Sequence, residues 1–458
     1  MEDNDTVDVE VDVIDTSSLG DRSYLISAGD TAVVIDPQRD IDRVLDAARR
    51  RGVHITHVLE THIHNDYVTG GLELSRSVGA EYVVPAGDDV DYERRPARDG
   101  DLITAGRMQL QVMHTPGHTH HHVSYVLRDA TGDVVGVFTG GSMLHGTTGR
   151  TDLLGPQHTQ ELTHAQYRSV RRLAETLPDS TRVYPTHGFG SFCSATPATG
   201  DASTIAEQRT NNPALTHDEQ AYVTELLEGL SAYPAYYAHM GVINQAGPAP
   251  VNLSLPEPVD PTELRRRIDA GQWVVDLRHR TAFAAGHLDG TFGFELSGSF
   301  VTYLGWLHRW GEPLTLIGDT VEQIADARRE LVRIGIDDLH GAATGKIADL
   351  RAGTQLRRYR VADFTDLADI LGNHDDVVVL DVRQRQEFAA SRIPGAVNIP
   401  LHELPDRIDE LPDGQVWVHC ASGYRSSIAA SLLDRASRSV VLVDDDYSTA
   451  DRLHLTTT

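Results

Sequence analysis

The sequence predicts an α/β protein of several domains, and three observations carry that prediction. At 458 residues the chain exceeds what one ordinary hydrophobic core holds, so roughly two to four domains are expected. In the N-terminal part, alternating and helical apolar patterns lead to a histidine-rich stretch, Thr61–Gly71, that starts where the strand-like run His57-Val58-Leu59-Glu60 ends. In the C-terminal part the chain repeats itself: Trp273-Val274-Val275-Asp276-Leu277-Arg278, followed by Phe283-Ala284-Ala285, is echoed by Val378-Val379-Leu380-Asp381-Val382-Arg383 and Phe388-Ala389-Ala390. Each copy opens on an apolar strand and continues through alternating helices and strands, the pattern of a small domain with a mainly parallel sheet.

Taken in order, Val7 to Val13 alternates apolar and charged residues, and Tyr24-Leu25-Ile26 and Ala32–Asp36 form strands around a Gly29-Asp30 turn. Ile41–Arg51 has helical spacing and Gly52 closes it. Beyond the histidine-rich stretch, Leu72–Val78 fits a helix, Glu81–Pro85 a strand, and Met108–His114 a strand that delivers Thr115-Pro116-Gly117-His118 on its loop. Strands Val123–Leu127 and Val134–Thr139, helix Ala165–Thr176 and strand Thr181–Tyr184 follow, the last ending at His187. A helix over His217–Leu230 and the proline-rich passage Pro248–Pro261 read as an ordered arm and a linker, with a natural cut near Asn252.

In extended backbone, residues two apart point the same way, so His62, His64 and Asp66 face one side. Imidazole and carboxylate are ligands that zinc and iron(II) accept, and His118 and His187 are the suppliers of further nitrogen. His120, His121 and His122 sit outside the Pro-Gly-His context and are expected to be solvated or hydrogen-bonded. Arg150 and Asp152 are expected to tie a loop. A glycine-rich turn after His187 would hold Cys193 near the metal, as a buried apolar residue or as a redox group.

Hydrophobic content of 40% indicates a globular chain, and the net charge of −27 argues against a nucleic-acid partner. The acidity fits solubility or life at raised salt. Neither a basic-then-apolar leader nor an apolar run of membrane-spanning length is present in the sequence. Only two cysteines occur, Cys193 and Cys420, so a disulfide framework is not expected, and a reducing cytoplasm is the expected compartment.

The order His62-x-His64-x-Asp66, Pro116-Gly117-His118 and a final His187 resembles the metallo-β-lactamase superfamily, and by motif wording its persulfide dioxygenase and glyoxalase II branch. The resemblance implies an αββα sandwich over residues 1–212 that binds one divalent ion, iron(II) or zinc. Two positions depart from the family pattern: Tyr67 stands where a third histidine is usual, and Gly141 stands where the bridging or iron-binding aspartate is expected. With His62 and His118 as the two imidazoles of an iron site, its carboxylate would be missing. Three arrangements stay open: His62, His64 and His118 as a three-histidine site, Asp66 or His187 replacing the lost ligand, or no tightly held metal.

After the 213–259 arm and linker, the two copies resemble rhodanese domains, over residues 260–345 and 356–458. In the second, the strand Val416-Trp417-Val418-His419 runs into Cys420-Ala421-Ser422-Gly423-Tyr424-Arg425, and a helix over Ser426–Asp434 follows at once. A thiolate there would be ringed by backbone N–H groups at the positive end of a helix, with Arg425 close by to hold an anion. In the first copy the matching strand ends at Gly318-Asp319-Thr320, without sulfur, which marks that copy as a scaffold or docking domain. Tyrosine phosphatases also place Cys and Arg around an anion loop, but theirs is one residue longer.

The whole arrangement resembles fused persulfide dioxygenase and sulfurtransferase proteins. It implies an enzyme of sulfide or persulfide metabolism whose partners are low-molecular-weight thiol persulfides or thiosulfate, with no nucleic acid or membrane, working as a homo-oligomer. Competing expectations are a zinc-dependent thioester hydrolase of glyoxalase II type and a non-catalytic N-terminal domain that delivers persulfide to Cys420.

Overall fold

The computed structural model describes residues 9–196, 198, 200–372 and 377–457, so Val7 and Asp8 of the first alternating run lie outside the described residues. The chain divides into two compact units, one running to Asn252 and including Glu330–Gly335, the other made of Leu253–Arg329 and the residues from Ile336 on.

The first unit is an αββα sandwich. One six-stranded sheet runs, neighbour to neighbour, Glu10–Thr16, Asp21–Ala28, Thr31–Ile35, His54–Leu59, Glu81–Pro85 and Arg95–Ala97. The other runs Ser203–Thr204, Arg182–Pro185, Val134–Gly140, Val123–Arg128, Met108–His114 and Leu102–Ala105. Alternate residues of the two inner faces, including Tyr24, Ile26, Val33, Ile35, Leu110, Val112, Tyr125 and Phe138, meet in a shared core. Helices Asp42–Arg51 and Gly71–Val78 cover one outer face through Val44, Ala48, Leu72 and Leu74, and helices Pro156–Thr176 and Glu219–Gly229 cover the other through Val170, Leu173, Tyr222 and Leu226.

Two elements differ from the sequence expectation. The helix expected over Ala165–Thr176 begins at Pro156, because a proline in the first turn and Gly155 before it supply a start that the apolar spacing alone does not mark. The stretch expected to be an arm and linker is largely built into the two units. Asp218 caps the helix Glu219–Gly229 by accepting from the Ala221 N–H, and a further helix, Tyr237–Ala246, buries Tyr237, Met240 and Asn244. On the far side of Asn252, the Val259 N–H donates to the Ala342 carbonyl and the Ala342 N–H to the Glu257 carbonyl, which lays the end of the proline-rich passage along a sheet edge in the second unit.

The second unit holds two all-parallel sheets. The first has the order Phe292–Gly293, Trp273–Asp276, Leu314–Gly318, Leu339–Thr344. The second has the order Val397–Asn398, Val377–Asp381, Gln415–His419, Val440–Val443, Arg360–Ala362. Corresponding strands occupy corresponding places, so the duplication seen in the sequence is a duplication of topology. The repeated Asp-x-Arg explains part of it. Arg278 donates to Asp276 and to the Gly286 carbonyl, and Arg383 donates to Asp381 and to the Ser391 carbonyl. In both copies this buried bidentate pair fastens the strand end to the end of the next helix.

Candidate metal centre and cysteine loop

The histidine-rich stretch leaves the strand His54–Leu59 and crosses the edge of the sandwich, where it meets loops from the second sheet. His62, His64, Asp66, His118 and His187 are all buried, as are His122 and Cys193. Each ligand-type ring is held from behind. Thr61 gives its N–H and hydroxyl to Asp36, so its oxygen accepts from His62 Nδ1 at 2.9 Å and the lone pair of His62 is on Nε2. His118 Nδ1 donates to the Arg150 carbonyl at 2.7 Å, leaving its buried Nε2 with no hydrogen-bond partner. His187 Nδ1 donates to Asp21 at 2.9 Å and lies 3.1 Å from Asp66, and its Nε2 lies 3.3 Å from His62 Nε2. This is how ligating imidazoles are oriented, with a carboxylate or carbonyl fixing the nitrogen turned away from the metal.

His64 is held differently. Its Nε2 lies 3.0 Å from the Tyr67 hydroxyl and 3.3 Å from both Asp36 and Glu60. Tyr67, in the place of the family's third histidine, therefore stacks on and hydrogen-bonds to a ligand-type ring. His64 can face the centre only through Nδ1, which has no hydrogen-bond partner. Ligand-type atoms of His62, His64 and His187 lie within 4.8 Å of one another, and so do those of His118, His187 and Cys193.

The electrostatics divide these groups. Burial alone would push His64 down, but Asp36 and Glu60 raise it to about 9, and Asp66 and Asp21 likewise raise His187 to about 10. Burial and the neighbouring imidazoles lower His118 to about 3 and hold His62 and His122 well below the usual imidazole range. Asp21 is pushed up to about 7 by burial and Asp66, while Asp66 is held low, against its own burial, by His187. Without an ion the centre thus contains two charged imidazoles, each beside two carboxylates, and His64 and His187 each have to release a proton before serving as a ligand.

Four residues of the centre escaped the sequence analysis. Asp21, Asp36 and Glu60 carry no motif of their own, and their role depends on contacts across the sandwich. Glu60, next to the motif, was placed as a strand residue. His122 is hydrogen-bonded, in line with expectation, but it is also buried inside the centre: its Nε2 accepts from the Gly141 N–H at 3.0 Å and its ring stacks on His62. His121, by contrast, is exposed. Arg150 and Asp152 pair as expected, at 2.7 Å, and Arg150 also donates to the Phe192 carbonyl beside Cys193.

At Gly141 the departure from the family pattern has a geometric consequence. A Cβ there would sit 2.2 Å from His118 Cδ2, so the ring occupies the space through which a side chain at 141 would leave the backbone. Gly141→Asp is therefore expected to lower both bound metal and melting temperature, at an overpacking cost of about 1–3 kcal/mol. Metal analysis and thermal unfolding check this; tighter metal binding in the variant would mean that the His118 ring turns away freely.

In the second unit, Cys420 lies at the end of the strand Gln415–His419, 1% exposed, with its Sγ 3.5 Å from Ser426 Oγ. The helix begins at Tyr424, earlier than the expected Ser426, so Tyr424 and Arg425 belong to its first turn. Gly423 has φ +86°, and a Cβ there would meet Asp444 Oδ1 at 1.9 Å, so only glycine passes at this point. Ala421 is pinned by its carbonyl, which accepts from the Tyr447 N–H, and Ser422 is exposed at the loop tip. Arg425, expected to hold an anion, donates both terminal nitrogens to Glu387 at 2.6 and 2.8 Å. The Tyr424 hydroxyl donates to the Glu295 carbonyl of the first copy at 2.9 Å.

Fold and site together define a sandwich with a buried histidine and carboxylate centre of metal-binding type, joined to an α/β domain with a cysteine loop. Residues 21–187 match the metallo-beta-lactamase superfamily, and residues 363–449 match the rhodanese-like domain. The mitochondrial persulfide dioxygenase ETHE1 of Bos taurus is 33% identical over 216 residues, which are 45% of this chain and 74% of that protein. A hydroxyacylglutathione hydrolase of a Polaromonas species is 32% identical over 172 residues, 36% of this chain and 62% of that protein. A solved metallo-beta-lactamase structure from Staphylococcus aureus superposes with a TM-score of 0.67 at 27% identity, covering 74% of this chain and 99% of that one. The chain belongs to the metallo-beta-lactamase superfamily, as an ETHE1-like domain fused to a C-terminal rhodanese domain.

Proposed function

We propose that the chain is a two-centre enzyme of persulfide metabolism: Cys420 carries sulfane sulfur, and the histidine centre acts on a low-molecular-weight persulfide. The observation that supports this most directly is the seat of Cys420, between the end of a central parallel strand and the first turn of the helix Tyr424–Arg435. The N–H groups of that turn have no carbonyl four residues back inside the helix, and their dipoles favour an anion.

In the proposed transfer, the Cys420 thiolate attacks the outer sulfur of thiosulfate, the S–S bond breaks, and sulfite leaves with the bonding pair. The persulfide so formed gives its terminal sulfur to a nucleophile such as cyanide or a thiol, and the thiolate returns. Arg425 spends its guanidinium on Glu387, so the amides of the loop and helix end are the nearer source of anion attraction. The first copy, which has Gly318-Asp319-Thr320 at the matching strand end, is a rhodanese-like scaffold in this scheme.

At the other centre the donor set suits a divalent ion: His118 Nε2 is buried without a partner, and the backs of His62, His118 and His187 are all fixed. Iron(II) or zinc held among His62, His64, His118 and His187 would supply Lewis acidity, and iron would add oxygen chemistry. Asp36 and Glu60 orient His64, and Asp21 and Asp66 orient His187. Gly141 favours a second reading: with no carboxylate at that position, the two-histidine, one-carboxylate face typical of oxygen-activating iron is incomplete, which suits a zinc-dependent thioester hydrolase.

Incubation with thiosulfate followed by peptide mass spectrometry is expected to find one added sulfur on the Cys420 peptide. Its absence overturns the sulfurtransferase reading. Metal analysis combined with oxygen uptake on glutathione persulfide separates the two readings of the other centre: iron with uptake supports the dioxygenase, and zinc with thioester cleavage and no uptake supports the hydrolase.

A further inference from the structure

Cys193 has no role in the proposed sulfur transfer, yet it reaches the histidine centre. Its sulfur lies within 4.8 Å of the ligand-type nitrogens of His118 and His187, and all three residues are buried. The three arrive on separate segments, His118 on the loop after Met108–His114, His187 after Arg182–Pro185, and Cys193 on the turn that follows. One residue couples two of these segments. The Arg150 carbonyl accepts from His118 Nδ1 at 2.7 Å, and the Arg150 N–H donates to the Cys193 carbonyl at 2.8 Å. The Arg150 side chain adds a bond to the Phe192 carbonyl at 3.1 Å.

The independent sign of a ligand is His118 Nε2, which is buried and lacks a partner while the ring's Nδ1 is tied to the Arg150 carbonyl. Asp21 and Asp66 hold His187 Nδ1, which leaves its Nε2 as the donor nitrogen. What the centre lacks is an anionic donor from position 141, where the His118 ring takes the room a Cβ would need. A thiolate supplies one negative charge, as a carboxylate would, and is a softer donor that zinc and iron(II) both accept.

We propose that Cys193 is a metal ligand, and that its thiolate joins His118 and His187 in holding the ion of the histidine centre. The proposal rests on the reading that this centre holds a divalent ion, and it assigns the anionic ligand that the glycine at 141 removes. On binding, the S–H proton leaves to solvent as the sulfur-metal bond forms, and no electrons change hands.

The test uses the full chain carrying Cys420→Ser, in which Cys193 is the only thiol, stripped of metal and titrated with cobalt(II) chloride. A thiolate-to-cobalt charge-transfer band in the near ultraviolet, saturating at one equivalent, is expected. Cys193→Ser in a chain that keeps Cys420 is expected to bind cobalt at least about tenfold more weakly and to lack the band. Cobalt bound at one equivalent without the band in the Cys420→Ser protein overturns the cysteine ligand and leaves the metal centre standing. No cobalt bound by equilibrium dialysis overturns the metal centre, and the ligand with it. Because the Cys420→Ser spectrum decides by itself, the proposal stays falsifiable if Cys193→Ser misfolds.

Discussion

Cys420→Ser is expected to abolish thiosulfate-to-cyanide sulfur transfer, with a loss on the order of 1000-fold or more, because in the proposed scheme the sulfur accepts the transferred atom and a hydroxyl is a far weaker nucleophile. The same change is expected to leave the melting profile nearly unmoved. Cys420 Sγ touches Ser426 Oγ at 3.5 Å, while the loop is held by other bonds, those of Ser426 to the Gly423 and Val443 carbonyls and of the Tyr447 N–H to the Ala421 carbonyl. Assaying cyanide-dependent thiocyanate formation beside a thermal scan checks both halves. Retained transfer in a folded variant would remove Cys420 from the chemistry.

The second large effect is expected at Asn244, a residue with no catalytic appearance in the sequence. Its Nδ2 donates to the His64 and Tyr67 carbonyls, both at 2.8 Å, and its Oδ1 accepts from the Thr69 N–H at 3.0 Å. One buried amide thus fixes the backbone on both sides of Asp66. Asn244→Ala leaves three buried backbone groups to find other partners, and a loss of about 3 kcal/mol is expected, since each unmet buried group costs roughly 1–3 kcal/mol and some relaxation follows. For a unit of this size that corresponds to a melting shift of roughly 6–12 °C. Bound metal should fall as well, because His64 and Asp66 lose their support. A variant with unchanged melting and full metal content would show that the loop holds itself.

Much of this molecule was legible in the sequence, for reasons that differ by region. The strands Asp21–Ala28 and Thr31–Ile35 were visible because short apolar runs flank the Gly29-Asp30 turn, and the helix Asp42–Arg51 because Gly52 ends it in the left-handed conformation. The duplicated domain was visible because both copies keep an apolar strand and the Asp-x-Arg that staples it. Motif order alone brought His62, His64, His118 and His187 to one list, and the structure gathers them in one place.

What the sequence hid depends on contacts between distant segments. Asp21 and Asp36 lie far along the chain from His187 and Thr186, and only closure of the sandwich brings them together. Asn244 was hidden by its surroundings: a tyrosine-rich and proline-rich passage has the composition of an arm, whereas its helix packs in the first unit through a few buried residues. His122 was obscured by its exposed neighbour, since four imidazoles within five residues give no sign of which turn inward. Arg425 was placed in the correct loop, but its pairing with Glu387 crosses from another helix and cannot be read from Cys-x4-Arg.

The two copies of the parallel sheet share strand order and the buried arginine staple, and differ at the turn leaving the matching strand, Gly318-Asp319-Thr320 in one and Cys420-Ala421-Ser422-Gly423 in the other. With Cys420 as the proposed sulfur carrier, folding and chemistry are encoded in separate stretches of this half of the protein. Mutation can silence or rewrite such a turn while the architecture around it persists, so reactivity here is a replaceable insert in a durable frame.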